Sequence, residues 1–207
     1  MPSTPETYDQ RYTDYQTNRG RLRKWVRGAY LRKAAARLDG PTIDFGCGIG
    51  ELLRRLPAGS TGLELNRATV DLCVANGLDV VHYDANSDDW SLSPLAERGP
   101  VYRSMVISHV LEHLEDPMTA FNKLLGAAGA LGVDQVLVIV PGKVGYGSDA
   151  THLTFVDRAM LSRPGATRGT GFAVAGAEYF PGDLRAIGDV FIYHELHVRY
   201  LRGDARR

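Results

Sequence analysis

Apolar positions along the chain alternate between short unbroken runs and helical spacing, and that alternation defines its elements. Leu22, Trp25, Val26, Ala29, Tyr30, Ala34, Ala35 and Leu38 recur at helical intervals and predict a helix from about Arg21 to Leu38. Ile43 and Phe45 close a buried strand, after which Glu51 to Leu56 reads as the first turns of a helix. Ser60 to Leu65 reads as a second strand, Arg67 to Asn76 as a helix closed by Gly77, and Asp79 to Asp84 as a third strand. A polar, proline-punctuated stretch over 86–100 holds a loop and a short helix, and Arg103 to Ser108 is the fourth strand. A helix then begins near Asp116 and Pro117 and runs to Leu131. Gln135 to Pro141 is a continuous apolar run, as a central parallel strand covered on both faces requires. From Gly142 the pattern loosens into loops with a helical piece over Asp157 to Leu161. Two last strands fit Gly171 to Phe180 and Val190 to Leu201, the second alternating like a half-exposed antiparallel strand. Strands alternating with helices predict an α/β fold with a doubly wound, seven-stranded, mostly parallel sheet and an N-terminal helical cap.

The turn after the first strand carries the chemistry. Thr42-Ile43-Asp44-Phe45-Gly46-Cys47-Gly48-Ile49-Gly50 spaces its glycines as D-x-G-x-G-x-G, whereas a dinucleotide fingerprint is G-x-G-x-x-G. Glycines at this turn let the backbone approach a ligand closely. A carboxylate two residues before the first glycine would repel a pyrophosphate but can anchor an ammonium group, directly or through water. The second and third strands also end in acids, Glu64 and Asp84. Glu64 lies twenty residues after Asp44, where doubly wound folds place a carboxylate on ribose hydroxyls. Asp84 and the backbone of Ala85 can meet an adenine edge. Three successive strands ending in acids point to a zwitterionic nucleoside as ligand.

After the fourth strand comes His109-Val110-Leu111-Glu112-His113-Leu114-Glu115-Asp116-Pro117. With the glycine turn, its L-E-H-L-x-D-P portion resembles the class I S-adenosylmethionine (SAM)-dependent methyltransferases, over roughly residues 40 to 141. The resemblance implies a Rossmann-like fold with an antiparallel last strand. It implies SAM as cofactor and S-adenosylhomocysteine as product. By that resemblance Asp44, Phe45, Gly46, Cys47, Gly48, Gly50, Glu64, Leu65, Asp84, Ala85 and Ser108 would be the cofactor-binding positions. Asp44 and the glycines would hold the methionine part, Glu64 the ribose and Asp84 the adenine. The organisation expected is a helical cap segment over 1–39 and a SAM-binding domain over 40–207, a single domain overall.

Composition narrows the partners. The formal net charge is zero, so no global field draws the chain to nucleic acid, and a small-molecule acceptor is expected. No apolar run reaches the length of a membrane span. Met1 to Gln10 lacks a secretory pattern, and Cys47 and Cys73 have no metal-type spacing, so a cytoplasmic protein with reduced thiols is expected. Cys47 reads as a small packing residue. Tyr8, Tyr12 and Tyr15, with the basic run from Arg19 to Arg27, are candidates for a lid over cofactor and substrate, against a solvated helix face as the plain reading.

For catalysis, a SAM-dependent methyltransferase mainly orients its reactants and excludes water. An oxygen nucleophile also has to lose a proton, and His109 or His152 is the expected general base lining the acceptor pocket. The family includes metal-dependent O-methyltransferases with an E-x-x-E-H segment at this place, some adding a downstream histidine. Glu112 and His113 match that segment and His152 could stand for the third ligand, but His109 replaces the first glutamate. A metal-assisted reaction on Glu112, His113 and His152 is therefore an alternative. A non-catalytic SAM-binding protein and an NAD(P)-dependent oxidoreductase are further alternatives, the latter opposed by the glycine spacing. His82, His194 and His197 read as strand-surface or packing residues.

Overall fold

The structure is a computed structural model that describes residues 21–98, 102–182, 192 and 194–203. Tyr8, Tyr12 and Tyr15, and the lid expected of them, lie outside the described residues.

Seven strands form one sheet: β1 (Thr42–Phe45), β2 (Thr61–Glu64), β3 (Val80–His82), β4 (Ser104–Ser108), β5 (Gln135–Pro141), β6 (Phe172–Phe180) and β7 (Glu195–Arg202). Their order is β3-β2-β1-β4-β5-β7-β6. The first five run parallel, β7 pairs antiparallel with both β5 and β6, and the doubly wound, mostly parallel sheet expected from the sequence is present. The helices are α1 (Arg21–Ala35), α2 (Arg67–Ala75), α3 (Ser93–Ala96), α4 (Pro117–Ala130), α5 (Lys143–Gly147) and α6 (Arg158–Ser162).

Strand periodicity sends alternate residues of the central strands into different clusters. Met105, Ile107, Val136, Val138 and Val140 join Phe121, Leu124 and Leu125 of α4 in one cluster. The intervening residues Val106, Leu137 and Ile139 join Tyr30, Leu31, Ala34 and Leu38 of α1 and its C-terminal extension in another. Every residue of β5 is buried, as expected for a strand covered on both faces.

Capping explains several boundaries. The Asn66 side chain accepts the Thr69 amide at 3.2 Å at the start of α2. Asp116 accepts from Thr119 at the start of α4, where Pro117 fills the first helical position. Asp157 caps α6 through the Met160 amide.

Three expectations fail locally. Instead of a helix over Glu51 to Leu56 there is a single 3-10 turn, Leu53–Arg55. Leu56 is extended at φ −81°, ψ 157°, as the residue before Pro57 prefers, and no second turn can form. The stretch after Gly142, read as loop, contains the short helix α5. The final strand begins at Glu195 rather than Val190, and it is not half-exposed: Glu195, Leu196, His197 and Val198 are all buried. Its alternation is real, but β7 is an interior strand. Leu196, Val198 and Tyr200 enter the α4-side core, and His197 is buried under Phe180, whose ring stacks on it at 6.4 Å.

Candidate functional site

At the carboxyl ends of β1 and β2 the glycine turn and the second-strand acid are bonded to each other. Glu64 Oε2 accepts the Gly48 amide at 2.9 Å, and its Oε1 accepts the Asn66 amide at 2.8 Å. Burial pushes the Glu64 carboxyl above its usual range, while the amides of Asn66, Gly48 and Leu65 partly oppose that shift. The turn requires its glycines. Gly46 has φ +71°, and a Cβ there would lie 2.5 Å from Val110 Cγ2; Gly50 has φ +74° and is backed by Leu78. Asp44 is buried beneath this turn at 2% exposure, so its carboxylate belongs to the floor rather than to an open cleft. Cys47 is buried against Gly62 and donates to the Gly48 carbonyl, in keeping with a packing role.

Beside this turn, Leu65 is 42% exposed, an apolar side chain next to the anchored Glu64. Phe45 stacks with Trp90 at 6.0 Å and meets Tyr83 edge-on at 6.1 Å. Asp84 folds its own loop, accepting from the Asn86 amide at 3.0 Å and from Ser87 Oγ at 2.7 Å, bonds that hold its carboxyl below the usual range. Ala85 packs against the core and Ser108 ends β4 half-buried.

The second group follows β4 and β5. His109 is left-handed at φ +56°, and its ring is gripped from both sides: Nδ1 is 3.1 Å from Glu112 Oε1 and Nε2 is 3.1 Å from Glu195 Oε1. Burial alone would lower its pKa, but the two carboxylates outweigh burial and raise it to about 9. Glu195, although buried, is held down to about 2 by hydrogen bonds from His109 and His197. The Tyr30 ring of α1 meets His109 edge-on at 6.3 Å.

Glu112 and His113 lie in a 3-10 turn, Leu111–His113. The Glu112 carbonyl accepts the amides of Leu153 and Thr154 at 2.8 and 3.1 Å, docking the 151–155 segment onto that turn. Docking brings His152 against His113, with ring centroids 4.8 Å apart. His113 Nδ1 bonds the Thr151 carbonyl at 3.2 Å and His152 Nδ1 bonds the Tyr146 carbonyl at 2.8 Å. A carbonyl only accepts, so both Nδ1 atoms carry hydrogen and both neutral rings keep a lone pair on Nε2. Burial, reinforced by neighbouring His152 and opposed by Glu112, lowers the His113 pKa. Tyr146 stacks on His152, and the exposed Leu153 and Phe155 form an apolar rim nearby.

The residues singled out in the sequence therefore fall into two neighbouring groups, since β1 pairs directly with β4. Glu195 and Tyr30 were missed. Glu195 stands 86 residues from its partner His109 in a strand that reads as half-exposed, and no local signal marks it.

The fold is that of the SAM-dependent methyltransferases. A SAM-dependent methyltransferase from Archaeoglobus fulgidus aligns with TM-score 0.67 at 20% identity, over 94% of this chain and all of that one. The methyltransferase domain of bacterial CtHen1-C aligns with TM-score 0.64 at 18% identity, over 86% of this chain and 99% of the other. Magnesium protoporphyrin IX methyltransferase from Synechocystis PCC 6803, solved with bound S-adenosylhomocysteine, gives 0.60 at 15%, over 90% and 89%. No curated protein matches the chain. Residues 34–141, just over half of the 207, match the family model described as "Methionine biosynthesis protein MetW", and the chain belongs to that family.

Proposed function

We propose that the chain is a SAM-dependent methyltransferase acting on an oxygen of a small-molecule acceptor. The observation that carries this reading is the Gly48–Glu64 bond, which joins a turn that tolerates no Cβ at Gly46 to a buried strand-end carboxylate. Glu64 offers lone pairs to the backbone amides of Gly48, Asn66 and Leu65 and keeps acceptor capacity for a ribose hydroxyl. Leu65 and Asp84 suit the base, and the glycine turn with Asp44 beneath it suits the methionine part. These residues fit SAM, which when bound supplies an electrophilic methyl on sulfur. The chain's part is orientation and exclusion of water, together with removal of the acceptor's proton.

The two candidate bases differ in what they can do. His109 has both nitrogens against carboxylates and a raised pKa, so near neutrality it is a fixed cation that orders Glu112 and Glu195. His152 keeps its Nε2 lone pair and is the group that takes the proton. Leu153 and Phe155 favour an acceptor with an apolar portion. The family description, which names a biosynthetic pathway, fits a small-molecule acceptor. No helix among the described residues is long and apolar enough to cross a membrane.

Calorimetric titration of the metal-stripped protein with S-adenosylhomocysteine and, separately, NAD tests the cofactor. Saturable binding of the first alone is expected, and binding of NAD alone would replace the reading with an oxidoreductase. Glu64→Ala should weaken S-adenosylhomocysteine binding by about 1.5–3 kcal/mol, the loss of hydrogen bonds to a charged group. Unchanged affinity in the folded variant would remove Glu64 from the site.

A further inference from the structure

We infer that the cavity between the end of α1 and the β6–β7 pair is a binding site for a hydrogen-bearing phosphate group, carried by orthophosphate or by a small phosphate monoester. The cavity measures about 330 Å³ and is lined by Arg37, Gly176, Ala177, Glu178, His197 and Arg199. In the sheet it is separated from β1 and its glycine turn by β4 and β5, so it stands apart from the cofactor corner. The strand register makes the hollow. Gly176 and Arg199 are cross-strand partners, as are Glu178 and His197, and the register slips between Val174 and Gly176. Opposite Arg199 there is therefore no side chain, and a Cβ added at Gly176 would meet nothing within 4 Å among the described residues.

The lining holds two kinds of group that one ligand must satisfy together. Glu178 is ion-paired with Lys33 and Arg37, so with Arg199 three cations stand against one carboxylate. The Arg199 guanidinium has no hydrogen-bond or ion-pair partner among the described residues, and such a group meets oxyanions through parallel N–H donors. Beside these donors stands an acceptor. The His197 side chain is fully buried, and its Nδ1 has no hydrogen-bond partner among the described residues. Its Nε2 lies 3.5 Å from Glu195 Oε2, a carboxylate that stays ionised, so the ring hydrogen sits on Nε2 and the neutral ring keeps a lone pair on Nδ1 in the cavity wall. A buried lone pair with no hydrogen to accept is costly. An anion without hydrogen would satisfy the guanidinium groups and leave Nδ1 bare. A phosphate that keeps one hydrogen satisfies both, donating P–OH to Nδ1 while its charged oxygens meet Arg37 and Arg199. Ligand pockets span about 300–1,000 Å³, and this one lies at the lower end, with room for a small ester group beside the phosphate.

The test needs no cofactor. Full-length protein at neutral pH is titrated by calorimetry with orthophosphate, with sulfate and with glycerol phosphate, each alone. One saturable equivalent of orthophosphate is expected, with sulfate at least tenfold weaker because it has no hydrogen for Nδ1. Tighter binding of the ester would identify a monoester as the resident ligand, and tighter binding of orthophosphate the free anion. Gly176→Val fills the hollow with a β-branched residue on an edge strand, and Arg199→Gln removes an exposed cation. Each should weaken orthophosphate binding at least tenfold, while Arg158→Gln, an exposed cation on α6 outside the cavity, should leave it unchanged. Circular dichroism confirms that each variant is folded. Absence of saturable orthophosphate binding, affinity unchanged in a folded Gly176→Val, or sulfate bound as tightly as orthophosphate would overturn the site.

Discussion

His109 lies between two buried carboxylates. It faces Glu112, Glu195 and the Tyr30 ring, and through Glu195 it is coupled to buried His197. The sign of its effect on stability follows from the shifts. The His109 pKa rises from 6.5 to about 9 on folding, so its contribution is complete below about pH 6.5 and is lost as pH climbs through 9. Glu195 falls from 4.5 to about 2, so its contribution is complete above about pH 4.5 and is lost as pH drops toward 2. In the metal-free protein this cluster therefore stabilises most between those limits. Glu195→Gln leaves His109 one carboxylate, and the loss of unfolding free energy between pH 6.5 and 9 should become shallower by about 1–2 kcal/mol. Urea unfolding at the two pH values reads this directly, and parallel behaviour of variant and wild type would deny Glu195 its hold on His109.

Individual elements answer to their caps. Asn66 both accepts the Thr69 amide to start α2 and donates its own amide to Glu64. Asn66→Ala keeps the backbone donor and removes the side-chain cap, so stability should fall by about 1 kcal/mol with little change in S-adenosylhomocysteine affinity. Denaturant midpoints together with calorimetry separate the two effects. A large loss of affinity would mean that the cap also sets the position of the Glu64 carboxylate. The neighbouring 3-10 turn shows the opposite case. Its helical signal at Glu51 to Leu56 is genuine, but Pro57 arrives before a second turn can close, and a nucleus without propagation does not make a helix.

At the scale of the whole molecule, β7 ties the antiparallel pair to the parallel sheet. Tyr200 is fully buried, lies 5.0 Å from the Phe121 ring of α4 and donates to the Leu161 carbonyl of α6 at 2.8 Å. Tyr200→Phe removes that one bond and leaves a buried carbonyl without it. Unfolding free energy should drop by about 1–2 kcal/mol, measured as the shift of the urea midpoint at constant slope. No shift would mean that the α6 carbonyl is satisfied by other means.

The sequence by itself determined the order of the strands, the glycine turn and the acids Asp44, Glu64 and Asp84 in or just beyond β1 to β3, because hydrophobic period and glycine spacing are local properties. It also placed Glu112 and His113 beside the turn that follows β4, and it named His152 as their partner through resemblance. What only the tertiary structure decided is non-local. Whether an alternating strand is half-exposed or interior depends on its neighbours, and β6 with Phe180 buries the polar side of β7. That burial aims Glu195 at His109 across 86 residues and sets a carboxylate on each side of the ring, which raises its pKa. Docking of the 151–155 segment on the Glu112 carbonyl then sets two imidazole rings beside a buried carboxylate, a meeting that no spacing along the chain encodes.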